Sequence, residues 1–141
     1  MDYMAQAIHF ASHFKPSDFA YLEEPVQTFE ELVQFSKETH FPIAVDESID
    51  CNWIQIPSLK ALVVKPTLLG HIPEVPPHLD LVLSSSYESG LGLLHIANRA
   101  TSSVPVGLDT YHAFPDELLT NPIHCSSGFF SWKASNPPID L

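Results

Sequence analysis

The sequence predicts an α/β fold on a parallel sheet, and within that class part of a (β/α)8 barrel. Three features carry this. The predicted strands are continuous apolar runs, such as residues 61–64 (Ala-Leu-Val-Val), which signals burial on both faces and hence parallel pairing. Helical patterns lie between several of them. Each predicted strand also ends in a polar group: Glu23, Asp46, Lys65, Ser84, and Asp109 just after Gly107. In parallel α/β sheets, function gathers at the carboxyl ends of the strands. About five successive strands follow this rule, short of the eight that close such a barrel.

Apolar residues Met4, Ala7, Ile8 and Ala11 recur at helical spacing and predict a helix over residues 2–13. Residues 19–22 form a short apolar strand, and Pro25 closes off the Glu23-Glu24 pair that follows it. A second helix is predicted over 28–39, with Thr28 as N-cap, Glu31 completing a capping box, and Phe29, Leu32, Val33 and Phe35 on its buried side. Strands follow at 43–45, 61–64 and 79–83, then a helix over about 89–100, then a short strand at 104–106 running into Gly107. Between Pro66 and Leu79 stand Pro73, Pro76 and Pro77 with no helical period, so no full crossover helix is expected there. Residues 1–119 are assigned to the barrel-like domain and 120–141 to an irregular tail.

With 141 residues, 45% of them hydrophobic, the chain can build one modest core. Six Lys and Arg face seventeen Asp and Glu, a net charge of −11, which argues against nucleic acid and anionic membrane surfaces as partners. Residues 1–14 lack a basic leader and carry Asp2, His9 and His13. No run approaches the ~18 apolar residues of a membrane span. Cys51 and Cys125 lack metal or redox spacing and fit free thiols in a reducing cytoplasm, with a single disulfide the open alternative.

Glu23 and Asp46 end successive predicted strands. Two carboxylates converging there suit a hard divalent cation such as Mg²⁺, while the plainer alternative has them capping the helices that follow. Lys65 follows four buried apolar residues, where an ammonium can act as acid or base or stabilise charge near a metal. Its plainer role is to snorkel outward to an acid.

Five tags in order resemble a known family. Tyr-Leu-Glu-Glu-Pro (21–25), Ala-Val-Asp-Glu-Ser (44–48) and Val-Val-Lys-Pro-Thr-Leu-Leu-Gly (63–70) resemble the muconate-lactonizing branch of the enolase superfamily. Ser-Ser-Ser-Tyr-Glu-Ser-Gly-Leu-Gly (84–92) and Pro-Val-Gly-Leu-Asp-Thr (105–110) narrow the resemblance to the o-succinylbenzoate synthases. That family dehydrates a cyclohexadiene carboxylate on the way to menaquinone or phylloquinone. The resemblance implies Mg²⁺ as cofactor and a small carboxylate as substrate. It makes Glu23 and Asp46 metal ligands, and Lys65 the lysine that faces the general base and stabilises the enediolate. It places Ser84 and Gly107 at positions whose backbone contacts the succinyl group. Glu24, Glu47 and Glu88 are expected to be supporting residues, not ligands.

The chain departs from the family pattern. No Lys-x-Lys base motif occurs in it. Aligning the first helix puts the Asp-x-Asn of the third metal carboxylate ahead of Met1, and Asp2 is a poor substitute. The N-terminal capping domain is also expected to be absent. The resemblance therefore implies a C-terminal barrel fragment, inactive alone and completed by a complementary N-terminal segment or chain. A non-catalytic remnant is the alternative, and within the superfamily an N-acylamino-acid racemase or dipeptide epimerase.

Minor signals are weaker. His9 and His13 have zinc-compatible i, i+4 spacing but no third ligand or protease glutamate. Ser84 to Ser86 lack a nucleophile elbow. Phe129, Phe130 and Trp132 are expected to pack the tail, with partner docking as the alternative.

Overall fold

The structure, a computed structural model, describes residues 3–101, 103–113 and 123–131. These fall into two compact units, Met1–Val64 with Pro73–Val82, and Lys65–Ile72 with Leu83–Leu141.

In the first unit, helix α1 (Tyr3–Ala11) buries Ala11 and half-buries Met4, Ala7 and Ile8, the face predicted from spacing. The predicted start at Asp2 lies outside the described residues. Strand β1 (Leu22–Glu23) is followed by helix α2 (Phe29–Thr39). The Thr28 hydroxyl accepts the Glu31 N–H at 3.2 Å, and the Glu31 carboxylate accepts the Thr28 N–H at 3.1 Å, the predicted capping box. The helix stops at His40, whose left-handed backbone donates its N–H to the Ser36 carbonyl. Leu32 and Phe35 are fully buried, and so is Ser36, whose hydroxyl accepts the Ser58 N–H at 3.0 Å.

Strands β2 (Ile43–Val45), β3 (Leu59–Val64) and β4 (Asp80–Leu83) join β1 in one sheet of order β1-β2-β3-β4. β1 runs parallel to β2, with Glu23 opposite Ala44, and β2 runs parallel to β3. Ile43 pairs with Leu59 but Ala44 with Ala61, so Lys60 is an extra residue on β3, a bulge. Lys60 points its ammonium 3.0 Å from Asp80 on β4. All of β2 and residues 61–64 are buried, as continuous apolar runs require of a sheet covered on both faces. Each fully buried Leu, Ile, Val or Phe contributes roughly 1.5–3 kcal/mol.

In the second unit, one helical turn, α3 (Pro66–Leu69), follows Lys65 and ends at Gly70, whose φ of 80° is left-handed. The prolines downstream prevent its extension, so a single turn forms in a stretch predicted to lack helix. Helix α4 (Gly90–Ala97) is N-capped by Ser89, whose hydroxyl accepts the Gly92 N–H, and it buries Leu93, Leu94 and Ile96. It ends three residues before the predicted boundary at 100. The strand predicted at 104–106 does not form. Pairing there shrinks to a single parallel bridge between Ser84 and Gly107, because Pro105 has no N–H to donate. Within the predicted irregular tail, β5 (His124–Ser126) and β6 (Phe129–Ser131) form an antiparallel hairpin. Its turn residues Ser127 and Gly128 have φ of 53° and 78°, as a two-residue type I′ turn requires. Among the described residues no helix is long and apolar enough to cross a membrane.

Candidate functional site

In the first unit, the Glu23–Ala44 register brings the carboxyl ends of β1 and β2 side by side. Glu23 ends β1 and is exposed, while Asp46 follows Val45 and is only 8% exposed. Parallel strands put registered residues on one face and alternate faces along the chain. Position 46 directly follows the last residue of β2, two beyond the Ala44 that pairs with Glu23 of β1. Glu24 is engaged elsewhere. Its Oε1 accepts the backbone N–H of Asp46 at 3.1 Å and of Ser48 at 2.8 Å. The paired acids thus divide roles, Glu23 at the strand end and Glu24 binding the turn that carries Asp46. As donors, Glu23 and Asp46 suit a hard divalent cation. Among the described residues no group of three or more His, Cys, Asp or Glu is gathered to hold one. Tyr21 stands beside this edge. Burial, then the Glu23 and Asp80 carboxylates, push its hydroxyl above the ordinary tyrosine range.

In the second unit, Lys65 is half-buried and precedes α3, its carbonyl accepting the Leu68 and Leu69 N–H groups at 3.0 Å each. Thr67, in the turn that follows, donates its hydroxyl to Glu88. Glu88 is 9% exposed and also accepts the Ser86 N–H at 2.7 Å and the Ser86 hydroxyl at 3.1 Å. This carboxylate fastens the Lys65 turn to the serine loop. Gly92 packs against it, since a Cβ there would lie 2.7 Å from Glu88 Cβ.

Gly107 is the hub of the serine loop. Its N–H donates to the Leu83 carbonyl at 2.9 Å. Its carbonyl receives the Ser85 N–H at 2.8 Å, the Ser85 hydroxyl at 3.1 Å and the Ser84 hydroxyl at 3.2 Å. Three donors share two lone pairs, and the Ser84 hydroxyl has the longest bond of the three. A Cβ on Gly107 would lie 2.7 Å from Ser84 Oγ, so glycine is what allows this approach. Ser85 is buried and also shares a 2.6 Å hydrogen bond with the Thr110 hydroxyl.

No family model matches the chain. It is 38% identical over 131 residues to the o-succinylbenzoate synthase of Klebsiella pneumoniae strain 342, covering 81% of this chain and 41% of that protein. The o-succinylbenzoate synthase of Pasteurella multocida strain Pm70 is 39% identical over 127 residues, 75% of this chain and 38% of that protein. By sequence, the chain belongs with the o-succinylbenzoate synthases. It spans about two-fifths of the length of the curated relatives it matches.

Beside the synthase tags, sequence reasoning left Ser85 and Thr110 without a role. Both lie inside the tags, but only tertiary pairing reveals the bond between them. Glu24 and Glu88, expected as supports, are both engaged with backbone or hydroxyl donors. The His9–His13 pair meets edge-on at 4.7 Å, and His13 Nδ1 lies 2.8 Å from the His9 carbonyl, so that nitrogen is held by backbone. Phe130 packs edge-on against Tyr111 at 5.2 Å, whereas Phe129 is 78% exposed. Trp132 lies outside the described residues. Cys51 and Cys125 are free thiols.

Proposed function

We propose that this chain is the C-terminal barrel portion of an o-succinylbenzoate synthase-type, Mg²⁺-dependent dehydratase of menaquinone or phylloquinone biosynthesis. By itself it has little or no activity. The observation that carries this reading is the position of Glu23 and Asp46 at the carboxyl ends of adjacent, registered parallel strands, in a chain related to the synthases. On this reading the four-stranded sheet is an arc of a (β/α)8 barrel, working in the cytoplasm on a small cyclohexadiene carboxylate.

Glu23 and Asp46 hold the Mg²⁺, which when bound supplies positive charge beside the substrate carboxylate. Lys65 contributes an ammonium that stabilises the negative charge growing on that carboxylate once the α proton is removed. Ser84 offers the least tightly held hydroxyl of its loop. Gly107 offers a bare Cα beside it, its N–H and carbonyl already engaged within the protein. The base that removes the proton, the third carboxylate and the capping domain that shuts out water come from a complementary N-terminal segment or chain.

Mixing the chain with a polypeptide that carries the capping domain and the preceding barrel strands is expected to restore Mg²⁺-dependent dehydration. The same mixture made with Lys65→Ala is expected to lose about 10² or more of that rate. No gain of activity on mixing would sink the reading. A second reading, a non-catalytic remnant, is favoured by α3, a single turn where a barrel crossover carries a full helix. A mixture that associates but does not turn over substrate would favour it.

A further inference from the structure

We propose that Glu24 is a positioning residue that holds the turn carrying Asp46, and so sets how tightly Glu23 and Asp46 together bind a divalent cation. The inference rests on the metal reading above. Glu24 Oε1 grips the N–H groups of Asp46 and Ser48 at 3.1 and 2.8 Å, spanning the tripeptide that carries exposed Glu47 at its centre. Bonds from N–H groups to an ionised carboxylate are about twice as strong as neutral ones.

The grip is made possible by backbone geometry. Glu24 has a φ of 36°, a left-handed conformation uncommon outside glycine and a signature of a residue held in place by its surroundings. Its own N–H donates to the Ala44 carbonyl at 3.2 Å, so its backbone is pinned to β2 while its side chain reaches past the strand end. Beyond Ser48 the chain turns, with the Ile49 N–H on the Asp46 carbonyl at 3.3 Å and the Cys51 N–H on the Ser48 carbonyl at 2.9 Å. Without Glu24 the N–H groups at 46 and 48 lose this acceptor. The backbone under Asp46 then loosens, and its carboxylate samples orientations away from Glu23. Partners that orient a metal ligand commonly set affinity by tenfold or more.

The test uses Mn²⁺ as a paramagnetic probe on the full isotope-labelled chain, following amide broadening near residues 22–24 and 44–48. Wild type is expected to broaden at both strand ends. Glu24→Ala is expected to need about tenfold more Mn²⁺ for the same broadening, with the amides of core residues Leu32, Ile43 and Val64 unmoved. Glu24→Gln keeps an oxygen acceptor and is expected to stay within about threefold of wild type. If alanine does not fold, Glu24→Asp, one methylene too short, replaces it and is expected to weaken binding several-fold. Unchanged affinity in the alanine or aspartate variant overturns the positioning role and leaves the metal reading standing. A folded glutamine variant as weak as alanine also overturns it, because charge and not hydrogen bonding would then matter. A wild-type chain that shows no broadening at Glu23 and Asp46 overturns the metal reading and this proposal together.

Discussion

Gly107 has no room for a methyl group. A Cβ there would lie 2.7 Å from Ser84 Oγ and 3.3 Å from Ser84 Cβ, so Gly107→Ala must push the Ser84 hydroxyl off the Gly107 carbonyl. The expected cost is about 1–3 kcal/mol, measured by urea denaturation. Pairing it with Ser84→Ala in a double-mutant cycle should show coupling, because both changes act on one contact. Tyr21 provides a pH signature. Burial, then the Glu23 and Asp80 charges, raise its pKa in the folded chain above the ordinary tyrosine range. The folded state therefore holds the proton more tightly than the unfolded state. Stability from this group is intact below about pH 10 and falls as pH rises through the folded value. In metal-free buffer, Tyr21→Phe is expected to flatten that alkaline loss, read from urea midpoints taken across about pH 9 to 11.

The elements show why some stretches are legible from local sequence and others are not. The α2 cap is local: Thr28 and Glu31 lie three residues apart and bond each other. Thr28→Ala is accordingly expected to cost about 1 kcal/mol, seen as a lower thermal midpoint. The β5–β6 hairpin was also within reach, since Ser127-Gly128 between His-Cys-Ser and Phe-Phe-Ser is a turn signal. Three-residue strands carry too little periodicity to register, so local sequence predicts only an irregular tail there. Gly128, at φ 78°, is expected to lose about 1–2 kcal/mol locally on substitution by alanine. Cross-strand NMR contacts between His124 and Ser131 should weaken, along with the Tyr111–Phe130 ring contact. The strand predicted at 104–106 failed for the opposite reason. Apolar character was present, but Pro105 removes a donor, and one bridge at Gly107 is all that pairing retains.

At the scale of the whole molecule, β1 is first in the sheet order and has no strand of this sheet on its outer side among the described residues. Under the proposed function, a complementary segment adds its strands there. Mixing the two polypeptides is then expected to slow amide exchange at Leu22 and Glu23, measured by hydrogen exchange. No added protection would place the partner elsewhere or remove it. The kinship with the synthases rests on five tags spread over residues 21–110 and on matches covering most of this chain. It is legible from the sequence. By itself the sequence determined the order and type of the main elements, the α2 cap, the buried strands and the family, because propensity, periodicity and motif spacing act over a few residues. Only the tertiary structure decided that Glu24 holds the Asp46 turn, that Glu88 ties Thr67 to Ser86, and that Ser85 pairs with Thr110. The Glu24–Asp46, Thr67–Glu88 and Ser85–Thr110 bonds join residues 21 to 25 positions apart. Register and backbone geometry make that choice, and neither is written in local composition.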